Sequence, residues 1–149
     1  MTKTAIHPSN APRPMGAYSP GIRVGEFLFT AGFGPLDPAT GAIVGDDIDT
    51  QTRQTLANVS SVLEAEGLTL ADVVKTTVHL ADLHRDFAGF NQAYAECVPQ
   101  PWPVRTTVGS TLMGILVEID VVAAFPPELS RSIRELENGD FIDVPSQGL

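Results

Sequence analysis

Two strand-like runs late in this 149-residue chain constrain its fold most. Residues 104–108, Val-Arg-Thr-Thr-Val, and residues 116–123, Leu-Val-Glu-Ile-Asp-Val-Val-Ala, alternate and are rich in β-branched side chains. Successive side chains of a strand point to opposite faces. Arg105 and Thr107 therefore share one face of their strand, and Glu118 and Asp120 share one face of theirs. Pro101-Trp102-Pro103 makes an extended approach to the first run, because proline offers no amide donor and pushes the residue before it away from helix. Only a short stretch from Gly109 to Gly114 separates the runs, so they are expected to pair as a hairpin. That pairing puts a guanidinium, a hydroxyl and two carboxylates on one sheet surface, which suits a small anionic substrate. A cross-strand ion pair on a solvated face is the plainer reading of the same residues.

The elements upstream follow from turn and periodicity signals. Residues up to about Pro20 are rich in Pro, Asn and Ser and read as an irregular arm. A hairpin is expected from Ile22-Arg23-Val24 and residues 27–31 about Gly25-Glu26, followed by a loop with a turn at Asp37-Pro38-Ala39-Thr40-Gly41. Asp49 reads as the N-cap of a helix reaching about Glu66, with Leu56, Val59, Val62 and Leu63 as its apolar stripe and Gly67 as its stop. Thr69-Leu70-Ala71-Asp72 has capping-box chemistry, and residues 73–80 form a strand. A second helix is expected over residues 87–97, with Phe87, Phe90, Tyr94 and Cys97 on its stripe. The predicted order is β-β-α-β-α-β-β, an α+β sandwich of one sheet with both helices on one face. The other face, partly apolar, calls for cover by further copies of the chain. Residues 127–149 form a C-terminal extension to a domain of residues 1–126. It is expected to hold a short amphipathic helix through Leu129, Ile133 and Leu136, a turn at Asn138-Gly139-Asp140 and a short strand at residues 141–144.

Charge and composition exclude several classes of function. A net charge of −9 and a pI near 4.5 disfavour nucleic-acid binding and anionic membrane surfaces, which need clustered Lys and Arg. One cysteine, Cys97, permits no internal disulfide and suits a reducing compartment. The N-terminal residues carry no apolar core of a signal peptide and no run reaches membrane-spanning length, so a cytoplasmic location is expected. His7, His79 and His84 lack metal-ligand spacing, and no metal or cofactor is expected. Gly32-Phe33-Gly34 opens no helix and so is no dinucleotide fingerprint.

Six segments, in order, resemble the signatures of the RidA/YjgF family of reactive-intermediate deaminases. They are Gly16-Ala17-Tyr18-Ser19-Pro20, residues 34–41, residues 51–59, residues 72–78, Asn91-Gln92-Ala93-Tyr94 and residues 103–108. The resemblance implies a chorismate-mutase-like fold and a homotrimer with sites at the subunit interfaces. It also implies cofactor-free hydrolysis of enamine or imine intermediates, such as 2-aminoacrylate, to 2-keto acids and ammonia. It maps the carboxylate-binding arginine onto Arg105, the water-positioning acid onto Glu118 and the aromatic site residue onto Tyr18. It puts Gly32 (through its backbone donor), Phe33, Asn91 and Thr107 at the substrate. The family's Ser-Gly-Gln after the second strand is here Ala31-Gly32-Phe33.

The residue types suit that chemistry. Arginine offers a planar fork to a carboxylate, and an imine needs only orientation, a water and charge stabilisation. Two other readings fit the same residues: a ligand-binding or chaperone-like trimer without turnover, and a deaminase of a larger enamine acid. An RNA-cleaving activity, ascribed to some family members, is disfavoured by the acidity.

Overall fold

The computed structural model describes residues 1–139. Six strands form one mixed sheet: β1 (Thr4–Ile6), β2 (Gly21–Val24), β3 (Phe27–Thr30), β4 (Val73–Leu80), β5 (Val104–Gly109) and β6 (Val117–Ala124), in spatial order β1-β2-β3-β6-β4-β5. The helices are α1 (Ile48–Glu64), α2 (Leu83–Cys97) and α3 (Pro127–Asn138). The fold is the expected α+β sandwich. Its core lies between the sheet and the helices, where β6 presents Val117, Ile119, Val121 and Ala123 to Leu56, Val59, Val62 and Leu63 of α1. A Cβ on Gly21 would stand 2.7 Å from Val62 Cγ1, so glycine there lets α1 lie close on β2.

Local chemistry fixes the boundaries, and two differ from expectation. The N-cap of α1 is Asp47, whose carboxylate accepts from the Thr50 amide, while Asp49 sits in the first turn and pairs with Arg53 at 3.0 Å. Asp47 holds the extended backbone of a cap residue, whereas Asp49 already lies within the first helical turn. Helix α2 begins a turn earlier than expected, at Leu83, because Asp82 caps it through the Arg85 amide. Phe87 is consequently not a core residue, being 42% exposed, whereas Phe90 and Tyr94 are buried. The capping box at Thr69 and Asp72 is present as predicted, and β4 spans the predicted residues.

The arm holds one strand that the sequence reading missed. β1 pairs antiparallel with β2, and Ile6 and Ala11 enter the core. At the other end α3 packs Leu129 and Ile133 against the core and reaches the β2–β3 hairpin through Arg23–Glu137 at 3.1 Å and Glu26–Arg134. Leu136, expected on its apolar stripe, is exposed, and Gly139 closes the helix at φ +70°. The strand expected at residues 141–144 lies outside the described residues. Among the described residues no helix is long and apolar enough to cross a membrane.

The largest correction concerns the two runs that most constrained the sequence. β5 and β6 do not pair. β4 lies between them, parallel to β5 and antiparallel to β6. Helix α2 supplies the crossover that makes β4 and β5 parallel neighbours. The segment after β5 then steps across β4, a span of about 10 Å, to start β6. Register decides which way each side chain points. Thr76 is flanked by Arg105 and Val121, and Val78 by Thr107 and Ile119, all toward the helices. His79 is flanked by Val108 and Glu118, and Thr77 by Thr106 and Asp120, all toward the open face. Arg105 and Thr107 therefore lie on the opposite side of the sheet from Glu118 and Asp120.

Candidate functional site

Arg105 is held by α2. Its Nη2 donates to Asn91 Oδ1 at 2.8 Å, and its guanidinium carbon lies 4.8 Å from the Tyr94 ring centroid, 5.3 Å from that of Phe90 and 5.9 Å from that of Phe87. The spacing of these aromatics along α2 puts all three on the turn facing β5. Tyr94 is fixed in turn by a 3.0 Å hydrogen bond between its hydroxyl and that of Thr76, the in-register neighbour of Arg105. Burial raises the Tyr94 pKa above the ordinary phenol value, against the opposing influence of Thr76 and Arg105, so the ring faces the guanidinium as a neutral phenol. Arg105 makes no ion pair among the described residues. Its charge is compensated by ring faces and one amide, and the rest of its fork has no hydrogen-bond partner among the described residues. Two residues along the same face, the Thr107 hydroxyl is buried without a partner among the described residues. A cavity of about 330 Å³ opens beside the guanidinium, lined by Asn91, Tyr94, Ala95, Trp102, Pro103 and Arg105.

A second group of predicted residues gathers elsewhere. The loop after β3 runs against β6, with Phe33 and Ile119 exchanging backbone hydrogen bonds of 2.9 and 3.0 Å. This brings Gly32 onto Glu118: a Cβ on Gly32 would stand 3.0 Å from Glu118 Cδ and 3.2 Å from Oε2. Glycine there lets the carboxylate lie close against the backbone of the loop. The neighbouring amides of Ala31 and Phe33 are bonded to Pro20 and Ile119, whereas that of Gly32 has no partner among the described residues. Tyr18 is half-exposed, its hydroxyl accepting from the Met15 amide at 3.1 Å, and with Pro20, Gly32 and Gly34 it borders a small hollow. Phe33, placed at the substrate by the sequence reading, is 6% exposed and belongs to the core cluster.

The open face around Glu118 is also polar at its centre. His79 Nδ1 and Ser110 Oγ lie 2.6 Å apart beside Glu118. Burial pushes the Asp120 carboxyl up, partly offset by the charges of His79 and Lys75. Around this centre stand Phe27, Phe29, Val104 and Val108, exposed by 45%, 43%, 68% and 38%. Among the described residues no cluster of three or more His, Cys, Asp or Glu could hold a metal ion.

The residues named from the sequence thus form two groups rather than one: Arg105, Asn91 and Thr107 on the helix side of the β5 edge, and Glu118 with Gly32 on the other side, where Tyr18 borders the hollow beside Gly32. The sequence reading missed Phe87 and Tyr94 as clamps on Arg105, and Trp102 as a cavity wall. It counted Phe87 and Tyr94 as core because they fall on an apolar stripe. Their spacing against the parity of Arg105 was the available signal.

An arginine clamped at one sheet edge and a carboxylate beside Gly32 on the opposite face are thus carried by an α+β sandwich of the chorismate-mutase-like type. The family profile described as endoribonuclease L-PSP matches residues 8–125, and the chain belongs to this family, the YjgF/RidA family. A RutC family protein of Pyrococcus horikoshii is 46% identical over 123 residues, covering 81% of this chain and 97% of that one. The 2-iminobutanoate/2-iminopropanoate deaminase of Salmonella typhimurium is 39% identical over 128 residues, covering 83% and 98%. Among solved structures, E. coli TdcF with bound serine superposes with a TM-score of 0.74 at 32% identity, covering 83% of this chain and 99% of that one.

Proposed function

We propose that this chain is a hydrolytic deaminase of 2-imino acids and their enamine tautomers, working without a cofactor at sites shared between copies of the chain. The observation that carries this reading is Arg105: a guanidinium without an acidic partner among the described residues, clamped by three aromatic rings and Asn91, beside a cavity. The named activity of the Salmonella relative supports it.

In this reading Arg105 binds the substrate carboxylate, and Glu118 of a second copy holds a water. The water oxygen attacks the imine carbon as its proton passes to Glu118. Glu118 then returns that proton to the nitrogen. The hydroxyl proton then passes by way of Glu118 to the amino nitrogen, the carbon–nitrogen bond breaks, ammonia leaves, and the oxygen that gave up the proton becomes the ketone. The Gly32 amide and Thr107 hydroxyl are donors for the developing charge and the carboxylate. Tyr18 closes the site. The chain is expected in the cytoplasm, where such imines arise.

A single chain holds the half-sites on opposite faces of one sheet, so only another copy can unite them. The apolar rim of the open face gives that copy its contact. Sedimentation equilibrium should therefore return about three chain masses of 15.8 kDa, and a well-behaved monomer would defeat the shared-site reading. In the activity test a pyridoxal-phosphate dehydratase generates 2-aminoacrylate from serine in the presence of semicarbazide. The protein should divert flux from the semicarbazone to pyruvate and ammonia. An unchanged semicarbazone yield would sink the deaminase reading in favour of a binding protein.

A further inference from the structure

We propose that Trp102 builds a side-chain subsite beside Arg105 that selects 2-imino acids with large apolar, especially aromatic, side chains over those derived from alanine or serine. The inference rests on the deaminase reading and names its substrate class.

The cavity of about 330 Å³ beside Arg105 has two kinds of wall. Its polar members are Arg105 and Asn91, already bonded to each other. The other lining residues are Trp102, Pro103, Ala95 and Tyr94, apolar but for the Tyr94 hydroxyl, which is bonded to Thr76. Trp102 is 54% exposed, an unusual state for the largest apolar side chain, yet it is not free to wander. Its Nε1 donates to the Val98 carbonyl at 3.2 Å, and proline on both sides restricts the backbone that carries it. A ring held at one end with a face open to a cavity is preorganised, so little side-chain freedom is lost when a ligand lies on it.

Geometry then assigns the wall to the substrate's side chain. A 2-imino acid has its carboxylate and its side chain on adjacent carbons. With the carboxylate on Arg105, the side chain must begin within a few ångströms of the guanidinium, inside the same cavity. The volume is at the lower end of the range, about 300–1,000 Å³, of pockets that enclose drug-sized ligands. A methyl group would reach little of the Trp102 wall. A phenyl or isobutyl group would cover the indole face and remove both surfaces from water, and aromatic rings add favourable offset or edge-to-face contact.

The test compares imines made in situ by an amino-acid oxidase, with catalase, from alanine, leucine and phenylalanine, each in competition with semicarbazide. The kcat/KM for the phenylalanine-derived imine should exceed that for the alanine-derived one by about tenfold or more, with the leucine-derived imine between them. Trp102→Ala should lower that ratio by about tenfold, and Trp102→Phe should hold it within about threefold. A wild-type ratio of one or below overturns the proposal, whether or not Trp102→Ala folds. So does an unmoved ratio in a Trp102→Ala protein that retains its melting temperature and mass. Both outcomes leave the deaminase reading standing if the alanine-derived imine is still accelerated. Acceleration of none of the three imines would defeat both.

Discussion

Arg105→Ala is expected to abolish accelerated imine hydrolysis while the protein keeps its fold and its mass. Among the described residues the half-buried guanidinium makes one hydrogen bond, to Asn91, and lies against ring faces of α2. Those ring contacts are worth about 1 kcal/mol each at most sites, a loss a domain of this size tolerates. The substrate loses far more. Two charge-assisted hydrogen bonds to a carboxylate are worth about 3 kcal/mol or more together, so kcat/KM should fall by about a hundredfold or more. Arg105→Lys should rescue poorly, because an ammonium cannot make two parallel bonds or stack between Phe90 and Tyr94. Steady-state kinetics with a thermal melt and sedimentation on each variant decide this. Undiminished activity in Arg105→Ala would move the carboxylate site elsewhere.

Glu118→Gln should slow turnover by about a hundredfold or more and leave keto-acid binding nearly unchanged, the usual effect of losing one general base. The amide is isosteric and fits the close approach to Gly32, so packing cannot account for the loss. The matched control is Asp120→Asn, two residues along on the same face. Because burial raises the Asp120 pKa, its contribution to stability is greatest at low pH and is lost as pH rises through the folded-state value. Asp120→Asn should accordingly raise stability at neutral pH and keep most of the turnover. Loss of turnover confined to Asp120→Asn would transfer the water-holding role to that residue. Loss in neither variant would favour a binding protein.

Local signals were the most legible part of this chain. The 3.6-residue stripe of α1, the capping box at Thr69 and the alternation of β4 are each decided by a few neighbouring residues, and each is present. Helix starts were less so, since Asp47 and Asp49 are chemically equivalent caps two residues apart. Strand neighbours were the least legible. Alternation tells which side chains of one strand share a face, but not which face of the sheet that is. The hairpin expected for β5 and β6 was the local solution, and it was overridden by the crossover through α2. The family motifs identified Arg105, Glu118, Gly32 and Asn91 as residues of interest. They carried no information that the first and second of these turn away from each other within one chain.

That divergence has a consequence for mixed assemblies. If each site takes its arginine from one copy and its glutamate from the next, Arg105→Ala and Glu118→Gln damage different halves of it. Two preparations, each inactive alone, should regain turnover once dissociated together and reassembled. Random mixing in equal amounts would restore about a quarter of the sites. The same mixture left undissociated would stay silent. Activity in this protein would then belong to the junction between chains, and a lesion in one copy could be complemented by a different lesion in its neighbour.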